Sequence, residues 1–317
     1  MNPKYPLETR TFAGKVWPSL NPDLEKFIES GKILAEMREY VRSMQIRGKR
    51  IVDVCEEVEG RIRKLGAGPA FPCNVGVNDV AAHYTSPWDD ASVVPDGSIV
   101  KVDFGVELDG FATDTAIAKS LNPQYDSMIV AAETALQEAI AAIAPGRKLS
   151  EIGPVVEGCI ERYGFRPIRN LTGHKIERYN LHAGKSVPNV SGIESGRFEV
   201  GEVFAVEPFV TLKNAEGAVR DGDAAYIYRF VKTKGPKSKE AAKLIDYIKD
   251  TYKGLPFASR WVHNSWKEDD VEQAFDELVS RRCVAGYPVL VEASGQPIAQ
   301  AEHTIVVTEN GCRVLTG

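Results

Sequence analysis

At 317 residues, 43% hydrophobic and 26% charged, the chain can bury a substantial core and sits near the upper size for a single one, which predicts one large domain with an elaboration. A formal net charge of −5 gives no overall field that would gather nucleic acid or an anionic membrane, so neither partner is expected. Five cysteines without a C-x-x-C pair, no basic and apolar leader at the N-terminus, and no run near the ~20 apolar residues of a membrane span imply a protein of the reducing cytoplasm.

The first element is a helix signalled by Asn21-Pro22, a cap residue followed by proline at the first helical position, with Leu24, Phe27, Ile28, Ile33, Leu34 and Met37 near helical spacing. A second helix runs through IVDVCEEVEGRIRKL to Gly66. Between Gly68 and Ser98 the chain is rich in Pro, Gly, Asn and Asp and reads as a long irregular segment outside any ladder. IVKVDFGVEL and FATDTAIA then flank Asp109-Gly110, a two-residue hairpin signal. Two helices follow, MIVAAETALQEAIAAIA up to Pro145-Gly146 and LSEIGPVVEGCIERY with Ser150 as cap and Gly164 as stop, and then EVFAVEPFVTL reads as one strand. From 226 to 288 charged helices dominate, PKSKEAAKLIDYIKDTYKG and EDDVEQAFDELVSRR, before the strand-like runs VLVEA and IAQAEHTIVVTE. This predicts a helical insertion, 226–288, in a sheet-containing domain made of 1–225 and 289–317.

The chemistry lies in carboxylates placed where burial is expected. Asp103 and Asp114 sit inside apolar strand runs, where a carboxylate is costly unless something compensates it. With Asp109-Gly110 as the turn, Asp114 faces Gly105 and Asp103 becomes its diagonal neighbour on the same sheet face, about 7 Å away. Two carboxylates at that spacing could share hard or borderline cations, and a wet hairpin face explains the pair about as well. Glu207 in FAVEPF and Glu302 in AQAEHTIVV pose the same problem, and His174 and His182 stand in TGHKIERYNLHAGKSVP, imidazoles suited to ligation or proton transfer. Two Asp, two Glu and one His suit two ions with a position left open for water.

These residues carry a resemblance. PAFPCNVGVNDVAAHYTSP, VKVDFGVELDGFATDTA, LTGHKIERYNLHAGKSVPN, FAVEPF and AQAEHTIVV, in that order and across nearly the whole chain, resemble the metal-site segments of methionine aminopeptidases. The resemblance implies the pita-bread α/β fold, a pseudo-symmetric antiparallel sheet flanked by helices, and a reaction that removes the initiator methionine of nascent polypeptides with small second residues preferred. It implies two divalent ions, Co, Mn, Fe or Zn, held by Asp103, Asp114, His174, Glu207 and Glu302. A water shared by the ions would attack with Glu207 as general base. By the same resemblance His83 assists proton transfer at the substrate's amino end, His182 hydrogen-bonds the scissile carbonyl, and Phe71, Leu181 and Tyr287 line the methionine pocket. The insertion resembles that of type II enzymes, and the short N-terminus resembles the archaeal subgroup, which lacks the polybasic extension.

Gly76 and Ala301 stand where larger residues are common in that family and bear on pocket shape. His303 is expected to point away from the site as a structural residue, and His263 has no motif around it. Prolidases and aminopeptidases P share the fold and ligand types but carry a large N-terminal domain and a different histidine segment. A non-catalytic binding module of the same fold is the alternative from another class. The basic clusters Arg47 to Arg50 and Arg61 to Lys64 read as solvated helix faces, with ribosomal RNA at the exit tunnel as the other reading.

Overall fold

Pro22 pre-sets the dihedral of a first helical turn, and α1 (Pro22–Ser43) follows it in a computed structural model that describes residues 22–193, 196–266 and 271–317. The expected cap Asn21 lies outside the described residues. α1 buries Phe27, Leu34, Met37 and Val41 on one side. α2 (Ile51–Lys64) keeps its expected span, and Gly66 ends it with a φ of 82°, where a side chain would be strained.

The stretch expected to be irregular is partly laddered, which corrects the reading of 68–98. β1 (Gly68–Pro69), β2 (Asn74–Val77) and β3 (Val80–Ala82) all lie in it. β1 and β2 both pair antiparallel with β4 (Ile99–Leu108), Asn74 standing opposite Asp103. Strands of two to four residues show no period in sequence, and their partners are supplied from elsewhere in the chain. β4 and β5 (Phe111–Ser120) form the expected hairpin, with Leu108 opposite Phe111 and Gly105 opposite Asp114. Asp109 and Gly110 hold φ values of 53° and 87°, the two positive dihedrals that such a turn demands.

α3 (Asp126–Ala142) and α4 (Gly153–Arg162) form the next layer. Ser150 does not cap α4. It sits in a short 3-10 turn, Leu149–Glu151, closed by the Lys148 amide donating to Glu151 Oε1 at 3.2 Å. β6 (Phe165–Pro167), β7 (Thr172–Ile176) and β8 (Ser186–Pro188) follow.

EVFAVEPFVTL is two strands, β9 (Val203–Val206) and β10 (Phe209–Leu212), broken at Glu207-Pro208 because proline has no amide to continue a ladder. β11 (Val219–Phe230) leads to α5 (Lys239–Tyr252), β12 (Phe257–Ala258), α6 (Ser259–Ser265) and α7 (Val271–Ser280). β13 (Val284–Glu292) then returns antiparallel to β11. The last run is also split, into β14 (Ile298–Gln300) and β15 (His303–Thr308), before β16 (Gly311–Val314).

Every strand pairing among the described residues is antiparallel. Two helix pairs cover the strands. Leu34 and Met37 of α1 and Val54 and Val58 of α2 pack on Val102 and Phe104 of β4, while Ala135 and Leu136 of α3 and Val156 and Ile160 of α4 pack on Phe204, Val210 and Ile305. Helices α5, α6 and α7 share a third cluster around Leu244, Ile248, Trp261 and Leu278.

Candidate metal centre

The two halves meet where neighbouring strands change sheet together. β9 pairs with β15, with Val206 opposite His303, and β10 pairs with β14, with Phe209 opposite Gln300. Between these ladders both strands break, at Glu207-Pro208 and at Ala301-Glu302, and the Ala301 amide donates to Pro208 O at 3.3 Å. The double break leaves two glutamates side by side at a point that neither sheet closes. The β4–β5 hairpin brings Asp103 and Asp114 to the same place.

Two polar side chains fix this junction from behind. The Asp114 amide donates to Thr304 Oγ1 at 2.7 Å, and the same hydroxyl donates to Asp114 O at 2.8 Å, so a β15 side chain imitates a ladder partner for β5. Arg38 of α1, buried, donates to Glu302 O at 3.0 Å and to the Thr115 hydroxyl. Burial, and then the nearby Arg42 charge, hold its guanidinium down to about 10.

All five expected ligand residues converge. His174 Nε2 lies 3.6 Å from Asp114 Oδ2 and 3.6 Å from Glu207 Oε1. Ligand atoms of Asp114, His174 and Glu302 lie within 4.8 Å of one another. One amide nitrogen, Gln300 Nε2, is 3.4 Å from Asp103 Oδ2, from Glu207 Oε2 and from Glu302 Oε2.

The electrostatics of this set are unfavourable on the protein's own account. Burial pushes the Asp103 carboxyl up to about 7. Burial and then the neighbouring carboxylates drive Asp114, Glu207 and Glu302 well above the usual range, and burial followed by His182 lowers His174 to about 3. Asp103 Oδ1 and Asp114 Oδ1 are buried and have no hydrogen-bond partner among the described residues. Carboxylates crowded together, short of donors and beside a neutral imidazole, fit a divalent cation, which supplies positive charge where oxygen lone pairs are unspent. The donor set, four carboxylates and one histidine, suits borderline to hard ions.

A cavity of about 240 Å³ opens onto the centre. Asp103, Asp114, His174 and Glu207 form its polar floor, and Phe71, Leu181 and Tyr287 stand in its walls with His83 and His182. Gly105, opposite Asp114, must be a glycine here, since a Cβ would meet the Phe71 ring at 2.6 Å and Thr113 O at 2.7 Å. His83 sits at a φ of 63°, a strained position for a residue with a side chain. Its Nδ1 is 3.1 Å from Pro288 O, an acceptor, so Nδ1 carries the proton and Nε2 keeps its lone pair. Burial lowers the pKa of His83 and of His182, whose ring centroid is 4.2 Å from that of His174.

His303 faces away, with Nδ1 2.8 Å from Thr316 Oγ1, as the strand alternation requires. His263 stacks on Trp88 and is not among the cavity-lining residues. Gly76 and Ala301 do not line the cavity either, which corrects their expected bearing on pocket shape: a Cβ at Gly76 would meet Val80 O at 2.4 Å, so that glycine answers a backbone approach. The sequence reading missed Gln300, Thr304, Arg38 and the lining residues Asn74 and Asn170. Gln300 alone carried a signal, two residues before Glu302 and so on the same face of an extended chain.

A model of metallopeptidase family M24 matches residues 25–309. The methionine aminopeptidase of Methanocaldococcus jannaschii is 41% identical over 292 residues, covering 92% of this chain and 98% of that protein. Among solved structures, a thermophilic Arx1 superposes with a TM-score of 0.80 at 19% identity over 94% of this chain and 92% of that one. The methionine aminopeptidase of Thermotoga maritima gives 0.67 at 23% identity over 94% and 98%. These structural likenesses bear on the fold, which is the expected pita-bread architecture.

Proposed function

The chain belongs to metallopeptidase family M24, and from that membership we propose that it is a metal-dependent aminopeptidase which removes the initiator methionine from newly made polypeptides, preferring a small second residue. The observation that supports this reading best is the convergence of five ligand-type residues, four of them lining a cavity with apolar walls and Glu302 beside them.

Asp103, Asp114, His174, Glu207 and Glu302 would hold two divalent ions, Co, Mn, Fe or Zn. Bound there, such ions acidify a water and polarise the scissile carbonyl. Glu207, at the strand break, takes the proton of the attacking water on its carboxylate and returns it to the leaving amine. His182 donates an N–H to the scissile carbonyl oxygen. His83, with Nδ1 engaged by Pro288 O, offers Nε2 to a proton at the substrate's amino end. Asp103, at the cavity floor, faces the free α-amine as its anionic partner. Phe71, Leu181 and Tyr287 take the thioether, whose flexible and polarisable chain suits an apolar, aromatic-walled slot.

The helices within 226–288 are an elaboration on the catalytic domain, a division supported by their separate core cluster. No described helix is long and apolar enough to cross a membrane, and the reaction on nascent chains belongs to the cytoplasm. Contact with the ribosomal exit tunnel would need the basic clusters. Arg47, Lys49 and Arg61 are already paired with Asp96, Glu57 and Glu36, which favours solvated faces.

The binding-module reading is tested by chelation and one substitution. Protein stripped with EDTA, and Glu207→Gln with Mn restored, should each lose methionine release from Met-Ala-Ser by at least about 100-fold, the scale of a general base. Retained activity in the stripped protein contradicts the metal-dependent reaction, and retained activity in the variant contradicts the role of Glu207.

A further inference from the structure

Gln300 ends β14 and is 0% exposed. Its amide orientation is set by its surroundings: turned by 180°, it would press an acceptor oxygen against three carboxylates, so the nitrogen faces them. An amide has two hydrogens and cannot serve three acceptors at full strength, and at 3.4 Å each contact is longer than an ordinary N–H···O bond. The other end, Oε1, is buried with no hydrogen-bond partner among the described residues. A residue selected for packing alone would be apolar at such a position, since an unpaired buried oxygen is unfavourable.

The backbone that carries Gln300 is held firmly. Buried Lys101 of β4 donates from Nζ to Ile298 O at 3.0 Å and to Asn78 O at 2.9 Å, and Thr211 Oγ1 donates to Pro297 O at 2.9 Å. β14 is thus pinned to β4 and β10 on the residues just before Gln300, and the amide projects into the carboxylate cluster from a fixed base. It reaches Asp103 from one half of the fold and Glu207 and Glu302 from the other.

We propose that Gln300 is a positioning residue for the metal centre: its neutral amide shares two hydrogens among one oxygen each of Asp103, Glu207 and Glu302, biasing their orientation so that their remaining lone pairs converge on the cations. Neutrality matters, because a lysine or arginine there would compete with the ions for the same oxygens, whereas an amide orients them without adding charge. This rests on the reading above that these carboxylates are ligands.

The test uses Gln300→Met, which keeps length and volume and removes the donor. Mn binding to chelated wild type and variant is measured by titration calorimetry, beside the visible spectrum of each protein loaded with Co(II) and the melting midpoint of each without metal. The expected result is Mn affinity weakened by roughly 10- to 100-fold and altered Co(II) bands, with the metal-free midpoint retained. Unchanged affinity and unchanged bands overturn the proposal, whatever the midpoint does, because that pattern belongs to packing. If the methionine variant does not fold, Gln300→Glu has the same shape and loses the neutral amide, and unchanged binding and bands in it are equally contradictory. A wild-type protein that binds no Mn overturns the ligand set and this inference with it; tight wild-type binding that the variant keeps overturns this inference alone.

Discussion

At the scale of single residues, the site was legible where a residue contradicts its surroundings. Asp103, Asp114, Glu207 and Glu302 stand out because carboxylates in apolar strands are costly, and the structure brings them together with His174. Thr304 and Arg38 were not legible, since a threonine in a strand and an arginine in a helix contradict nothing; their roles come from what the fold places opposite them. Gly105 was equally silent, yet it gives the Phe71 ring its place beside the cavity. Gly105→Ala should therefore cost roughly 1–3 kcal/mol as an overpacked position, read in a urea melt, and raise KM for Met-Ala-Ser through displacement of Phe71. A variant with unchanged stability and KM would show that the ring moves freely.

At the scale of elements, the β4–β5 hairpin was readable in register because its turn type is written in Asp109-Gly110. The strand break at Glu207-Pro208 was signalled by its proline, but the one at Ala301-Glu302 was not, because apolar residues continue on both sides and only the exchange of partners between sheets reveals it. The joining of α2 to α6 was also hidden. Glu59, 1% exposed, accepts from Arg260 Nη1 and Nη2 at 3.0 and 2.9 Å, from Trp261 Nε1 at 2.6 Å and from the Cys73 amide at 3.1 Å. Removing one partner strands the other charge, so Glu59→Ala should destabilise the protein by about 3–5 kcal/mol in a urea melt, whereas Glu59→Leu combined with Arg260→Met should cost much less. Equal losses in the two proteins would contradict the charge account and point to packing. The link is consequential because Asn74, just beyond Cys73, stands opposite Asp103.

At the scale of the whole molecule, the centre joins halves built on different helix pairs, Asp103 and Asp114 from one and His174, Glu207 and Glu302 from the other. Ions bound only by the folded state stabilise it by mass action, about 2.7 kcal/mol at a concentration 100 times Kd. The melting midpoint of the stripped protein should thus rise as Mn is added, and should not rise in Asp103→Ala combined with Glu302→Ala. The fold class and the carboxylates that meet at the centre could be read from the sequence and its resemblance, because turn chemistry and misplaced carboxylates are local signals. The support behind the ligands could not, because it is made of contacts between distant segments.

The central claim is that this centre releases an amino-terminal methionine, and free methionine produced from Met-Ala-Ser, Met-Lys-Ser and an X-Pro peptide by the Mn-loaded protein tests it most directly. The account predicts release from Met-Ala-Ser, little from Met-Lys-Ser and no cleavage of the X-Pro peptide. Cleavage of the X-Pro peptide with Met-Ala-Ser left intact, or no cleavage of any of the three by protein that binds Mn, would contradict it.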